Sequence, residues 1–305
     1  WRELVAHTLW PEKAEGREGR AGRLALELPR LEASLQGAAL LLLCSPHNPT
    51  GRVWSRAELR HVAAACARQG VLLVADEIWA DWVLPEVAPA EGGHGVGPER
   101  GERGERFVPC SAVAPAEGCA LITLGAPTKT WSLAGLHASY LIIPDEALRR
   151  RYLQRAEPAF LAYGSAFATT ALLAAYTHGG PWLEAAKAHV ARNVAYLVRF
   201  VREHVPGIAP LVPEATYLVW LDCSGLLARA GIAPAELHGW LLRHARLCLS
   251  PGDEFAPETG HCVRINVACP RRMLHAALEQ LRRAVAAAAT GDPALGAEQR
   301  RVSER

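Results

Sequence analysis

Apolar residues in this chain gather into short continuous runs that end abruptly on polar groups, separated by stretches with helical spacing. Ala39 to Cys44 runs into Ser45-Pro46-His47-Asn48-Pro49-Thr50-Gly51, Val71 to Val74 runs into Asp76-Glu77, and the run from Leu121 stops at Gly125. Runs of this length bounded by turn residues predict three buried strands, each with its reactive group at the C-terminal end. Between the first two, Ser55-Arg56-Ala57-Glu58 forms a capping box, Leu59, Val62, Ala63 and Cys66 recur at helical spacing, and Gly70 is a stop. Strand, helix and strand in this order predict a βαβ unit with parallel strands and a right-handed crossover. After Gly125 a short polar loop presents Lys129, and a further apolar run, Ala138 to Ile143, follows.

Downstream, Asp145 caps a helix through Leu153, and Ser165 to Tyr176 predicts an alanine-rich helix. From Pro181 to about Glu203, the positions Trp182, Ala185, Ala186, Val190, Val194, Leu197, Val198 and Val201 predict one long amphipathic helix. A helix that long often bridges domains, so the boundary is placed near residue 184. Beyond it the pattern predicts a strand at Ala215 to Leu221, a helix at Pro234 to Ala245, strands at Leu247 to Leu249 and Cys262 to Val267, and a last helix from Pro270. That order suggests a small α+β domain over 184–290 after a large domain over 1–183. Trp1 to Arg30 reads as connecting structure. Residues 87–106, rich in Gly, Pro, Glu and Arg, read as a flexible insertion holding a solvated His94, and 291–305 as a disordered polar tail.

Composition narrows the classes. With 305 residues, 50% of them hydrophobic, the chain can bury one large core or two unequal ones. A formal net charge of +2 with interspersed signs gives no basic stripe, which argues against nucleic acid or an anionic membrane as partner. No apolar run approaches the roughly 20 residues that span a bilayer, and no signal peptide opens the chain, so a cytoplasmic protein is expected. The eight cysteines are scattered singly, without ligand spacing, and read as reduced core residues with no metal site.

A lysine at a strand end can be desolvated into a nucleophilic amine, although a loop lysine is more often a solvated charge. An open α/β sheet places ligands at the carboxyl ends of its strands, and one edge would then hold Asn48, Asp76 and Lys129. Asp76 also suits a helix N-cap, and Asn48 a turn. SPHNPTGRVW, ADEIWAD, TKTWSLAGL and VRINVACPR, in this order, resemble the pyridoxal-phosphate enzymes of fold type I, the class I/II aminotransferase superfamily. They look most like its cystathionine β-lyase (cysteine-S-conjugate β-lyase) branch, and the resemblance runs from Trp1 to about Ala289.

The resemblance implies an α/β large domain with a mostly parallel sheet that binds pyridoxal 5'-phosphate, plus the small C-terminal α+β domain. It implies that Lys129 condenses with the cofactor aldehyde and later takes the substrate α-proton. Asp76 keeps the ring nitrogen protonated, Asn48 donates to the phenolic oxygen across an Asn48–Pro49 bond that can be cis, and Arg264 receives the substrate α-carboxylate, with a structural salt bridge as its alternative. Trp79 and Thr128 join the cofactor site. Trp79 stands where relatives often have Tyr or His, Ala126 replaces a phosphate-binding serine, and His137 stands where aminotransferases often have arginine, so a weak phosphate grip is expected. Tyr163 and Tyr217 are expected to be packing residues. The sequence opens on Trp1 and its one methionine is Met273; by the resemblance, an N-terminal part that completes the phosphate site is missing.

The implied reaction is β-elimination from L-cystathionine or related S-substituted cysteines, giving a thiol, pyruvate and ammonia. An aminotransferase is the alternative, since both reactions use the same residues. A catalytically impaired scaffold or regulatory binding protein is a third reading. A homodimer is the implied assembly, acting on a small amino acid substrate.

Overall fold

The computed structural model describes residues 10–11, 24–25, 27–85, 107–161 and 163–290. The insertion expected at 87–106 with His94, and the tail from 291, lie outside the described residues. The chain divides into two units within a single helix, α6 (Gly180–His204), one unit running to Ala188 and the other starting at His189. The short segment Glu214–Thr216 returns to the first unit.

The first unit is built on a four-stranded sheet in the order β1 (Leu40–Cys44), β2 (Leu72–Asp76), β3 (Leu121–Gly125) and β4 (Tyr140–Ile142). The first three strands are parallel and β4 runs antiparallel to β3, so the expected mostly parallel sheet has one reversed edge. Helix α1 (Leu28–Ser34) precedes β1, and α2 (Arg56–Gln69) joins β1 to β2. Helix α2 starts where the sequence says it should. The Ser55 hydroxyl accepts from the Glu58 amide, the Glu58 carboxylate accepts from the Ser55 amide, and Gly70 ends the helix at φ 66°. Its buried face, Leu59, Val62, Ala63, Ala65 and Cys66, shares one core with Leu43, Leu73, Ala75 and Leu121 of the strands. At about 1.5–3 kcal/mol for each fully buried aliphatic side chain, this face rather than helix propensity holds α2 in place. One expectation fails at β1: Leu40 and Leu42 are 47% and 65% exposed, because only alternate side chains of this edge strand face the core.

Glu214–Thr216 is tied into this unit by backbone and charge. The amides of Glu214 and Ala215 both donate to the Gly51 carbonyl at 2.9 Å, and Thr216 N–H donates to the Trp82 carbonyl at 2.9 Å. Arg52, 5% exposed, pairs with Glu58 at 2.6 Å and Glu214 at 3.4 Å, and the Glu214 carboxylate accepts from the Val53 amide at 2.7 Å. Farther on, α4 (Glu146–Ala156) is capped by Asp145 and α5 (Ala166–His178) by Ser165.

The second unit holds an antiparallel sheet in the order β5 (Ala209–Leu211), β6 (Leu218–Asp222), β8 (Cys262–Asn266) and β7 (Ser250–Pro251). Two short helices, α7 (Ser224–Ala230) and α8 (Leu237–Trp240), lie between β6 and β7, and α9 (Arg271–Thr290) follows β8. The strand expected at Leu247 to Leu249 does not form. The chain first pairs with Val263 and Arg264 at Ser250 and Pro251, and pairing decides where a strand lies more than apolar content does. The helix expected at Pro234 to Ala245 breaks into a 3-10 turn, α8, and a π turn over Leu241–Ala245. Helix α9 buries Leu274, Leu278, Leu281 and Val285, four or three residues apart, as an amphipathic helix must. Among the described residues no helix is long and apolar enough to cross a membrane. All eight cysteines are free thiols; Cys248, against the expectation of a core residue, is exposed.

Candidate active site

Parallel register carries the carboxyl ends of β1, β2 and β3 to one edge: Cys44 lies opposite Asp76, and Asp76 opposite Leu124. The ladder continues one step, with the Ser45 amide donating to the Asp76 carbonyl and the Glu77 amide to the Leu124 carbonyl, both at 2.9 Å. The chain leaves the sheet here three times, on segments bearing Asn48, Asp76 and Lys129. The loop after β1 is held closely. The Cys44 thiol donates to the Pro46 carbonyl at 3.2 Å and its sulfur accepts from the Asn48 amide at 3.4 Å. Trp54 donates its indole N–H to the Cys44 carbonyl at 2.9 Å, and His47 Nδ1 meets the Thr50 hydroxyl at 2.9 Å. Both Ser45–Pro46 and Asn48–Pro49 are cis.

Asp76 is half-buried, and its Oδ1 accepts from the Ile78 amide at 3.1 Å, closing the turn after the strand rather than capping a long helix. Burial, with the negative charge of Asp76 adding to it and the Asn48 amide opposing it, pushes the Cys44 thiol up to about 11. Glu77 is also raised, first by burial and further by Asp76, while its bond from the Cys110 amide at 2.7 Å works the other way. Burial lowers the His47 imidazole to about 4, so the ring beside Asn48 is neutral near pH 7.

Lys129 lies in a one-turn helix, α3 (Pro127–Thr130), rather than in an open loop. Proline is tolerated at the first position of such a turn because no intrahelical N–H bond is needed there. The turn is fastened from the segment after β2: the Trp82 indole N–H donates to the Lys129 carbonyl at 2.7 Å, and the Thr130 hydroxyl donates to Asp81 Oδ2 at 2.9 Å. The half-buried Lys129 side chain makes no hydrogen bond or ion pair among the described residues. Its backbone is thus fixed while its side chain is not. Thr128 is half-buried and Trp79 is buried in the same unit, whereas His137 is exposed in a left-handed conformation at φ 50°. A Cβ added at Gly125 would stand 2.3 Å from the Tyr140 ring, so a side chain there would have to displace that ring.

Arg264 belongs to the second unit, in the middle of β8 opposite Trp220. Its Nη2 donates to the Ser250 hydroxyl at 3.0 Å, and its guanidinium carbon lies 4.9 Å from the centre of the Phe255 ring. That ring stands edge-on to Trp220 at 5.4 Å. Burial lowers the Arg264 pKa, with Glu254 and Tyr217 opposing, and Tyr217 is itself raised by burial. Tyr217 is thus half-buried near a cation, while Tyr163, expected to pack, is 70% exposed. Sequence reading missed Asp81, Trp82, Ser250 and Phe255. The polar and aromatic WADW stretch, which starts three residues after Asp76, was the available signal for the first two.

A family model described as aminotransferase class I and II matches residues 23–281. The chain belongs to the class I and II aminotransferase family. Cystathionine beta-lyase PatB of Bacillus subtilis is 32% identical over 87% of this chain and 63% of its own length. Protein MalY of Escherichia coli is 32% identical over 86% of this chain and 61% of its own length. This member of the family therefore spans less than two thirds of the relatives it matches. The crystal structure of a PLP-bound C-S lyase from Staphylococcus hominis superimposes with a TM-score of 0.75 at 25% identity, covering 87% of this chain and 62% of that one. The fold is that of the fold type I enzymes, as the sequence motifs implied.

Proposed function

We propose that this protein is a pyridoxal-phosphate-dependent carbon–sulfur β-lyase that cleaves L-cystathionine or related S-substituted cysteines to a thiol, pyruvate and ammonia. The observation that carries the reading is the common edge of β1, β2 and β3, where the segments bearing Asn48, Asp76 and Lys129 leave adjacent parallel strands, the Lys129 amine making no hydrogen bond or ion pair among the described residues. These residues fit the cofactor: an acid for a basic ring nitrogen, an amide for a phenolic oxygen and an amine for an aldehyde. Bound pyridoxal phosphate supplies an electron sink for negative charge at the substrate α-carbon. Asp76 would hold a proton on the ring nitrogen, because an adjacent carboxylate favours the cationic form. Asn48 would donate from its amide to the phenolic oxygen, Trp79 and Thr128 would line the cofactor site, and Lys129 would hold the cofactor and serve as the base for the α-proton through its amine.

Arg264 is proposed for the substrate α-carboxylate. Its surroundings support that role, since Ser250 and the Phe255 face fix the guanidinium plane and a bidentate carboxylate partner suits it. Names of the relatives support the lyase over the transaminase, both being chemistries of one site. A homodimer in the cytoplasm completes the reading. Incubation with pyridoxal phosphate should produce a long-wavelength absorption band that is missing in Lys129→Ala. Pyruvate release from cystathionine without added keto acid supports the lyase, and amino transfer that requires a keto acid supports the aminotransferase. No band in the parent chain would count against any cofactor enzyme and favour a scaffold.

A further inference from the structure

The strand that carries Arg264 has a second group of chemically able side chains at its opening end. Register places Cys262 of β8 directly opposite Asp222 of β6, and directly opposed residues project to the same face of a sheet. His261 immediately precedes the strand. One ligand atom from each of Asp222, His261 and Cys262 lies within 4.8 Å of the others. Linear spacing gives no hint of this group, since Asp222 is far from the other two in sequence.

The backbone around the group is fixed. The Cys223 amide donates to the His261 carbonyl at 3.0 Å, which carries the β6–β8 ladder one step past the paired residues. Asp222 Oδ1 accepts from the Ser224 amide at 2.8 Å, so the carboxylate is oriented by a bond outside the group. Bonds of this kind, one shell out, orient metal-binding side chains and set their basicity. Cys262 is buried, whereas Asp222 and His261 are half-buried. The group is therefore closed below and open at its rim.

We propose that Asp222, His261 and Cys262 form a binding site for one divalent transition metal of the zinc class, with water in the fourth position. Thiolate, imidazole and carboxylate together carry a charge of −2, which balances a divalent ion, and the sulfur selects against magnesium and calcium. On binding, the metal forms a bond to sulfur and the Cys262 thiol proton leaves to solvent through the open rim; no electron is transferred. The ion clasps the end of β6 to the end of β8. The proposal does not depend on the lyase reading.

The test is titration of the chelator-treated 305-residue chain with Co2+, followed by displacement with Zn2+. A near-ultraviolet thiolate-to-cobalt charge-transfer band should saturate at one equivalent and disappear on addition of Zn2+. Cys262→Ser should lose the band, and His261→Gln and Asp222→Asn should each bind Co2+ about tenfold more weakly or worse. No band in the parent chain, or a band that survives in Cys262→Ser, overturns the proposal. Should Cys262→Ser fail to fold, the two variants at half-exposed positions decide: full Co2+ affinity in both, with a parental circular dichroism spectrum, also overturns it.

Discussion

Glu214→Ala tests how the returning segment is held in the first unit. The substitution removes the acceptor of the Val53 amide, 2.7 Å away, at a residue that is 6% exposed. A buried donor left without a partner costs about 1–3 kcal/mol. Arg52 also loses its 3.4 Å contact but keeps Glu58 at 2.6 Å, so the guanidinium is not left as an uncompensated buried charge. Breaking a buried pair outright costs about 3–5 kcal/mol; with one carboxylate remaining, the loss is roughly 1 kcal/mol. The sum is about 2–4 kcal/mol. Glu214→Gln keeps a carbonyl oxygen for the Val53 amide and should lose only about 1 kcal/mol. Urea unfolding of the parent and both variants, compared at a common slope, measures the difference. An alanine variant within about 0.5 kcal/mol of the parent would refute the assignment, because that is the scatter of neutral surface changes.

Further outcomes follow from other contacts. Burial lowers the His47 imidazole to about 4 in the folded chain against 6.5 in the unfolded chain, so its contribution to stability is complete above pH 6.5 and is lost as pH falls toward 4. The difference amounts to about 3 kcal/mol; denaturation midpoints between pH 7 and pH 4 should fall more steeply in the parent than in His47→Gln, and parallel curves would contradict it. For the β-lyase reaction proposed above, Trp82→Phe removes the donor to the Lys129 carbonyl and should slow pyruvate release by about tenfold, near 1.4 kcal/mol, while the circular dichroism spectrum is kept. Asn193→Leu removes donors to the Val267 and Cys269 carbonyls at 2.8 and 2.9 Å and the acceptor of Arg271 Nε at 2.8 Å. It should destabilise the protein by on the order of 3 kcal/mol, read as a lowered Tm; an unchanged Tm would show that the network is not needed.

The elements that could be read from sequence are those whose signals are local. The Ser55 to Glu58 box, the Gly70 stop and the periodic apolar face from Val190 to Val201 each determine their helix within a few residues, and the structure shows all three. The three strand ends could be read because apolar runs stop there on groups that a core excludes. The reversed direction of β4 and the place of β7 could not, since both depend on which distant strand offers a free edge. The same limit applies to side chains. Asn48, Asp76 and Lys129 stand out as polar groups at the ends of apolar runs, but Trp82 acts on a backbone carbonyl and Ser250 on an arginine 14 residues away, contacts that leave no spacing to recognise. Asp222 and Cys262 meet only through strand register.

The close approach of Gly125 and Tyr140 has a consequence for how the chain can vary. Because an added Cβ at 125 would stand 2.3 Å from the tip of the Tyr140 ring, a side chain there requires that ring to move. In a mutational scan Gly125→Ala should be better tolerated where Tyr140 is shortened to alanine than where it is present. Such conditional tolerance would appear as pairwise epistasis at the end of the strand that leads into the lysine turn.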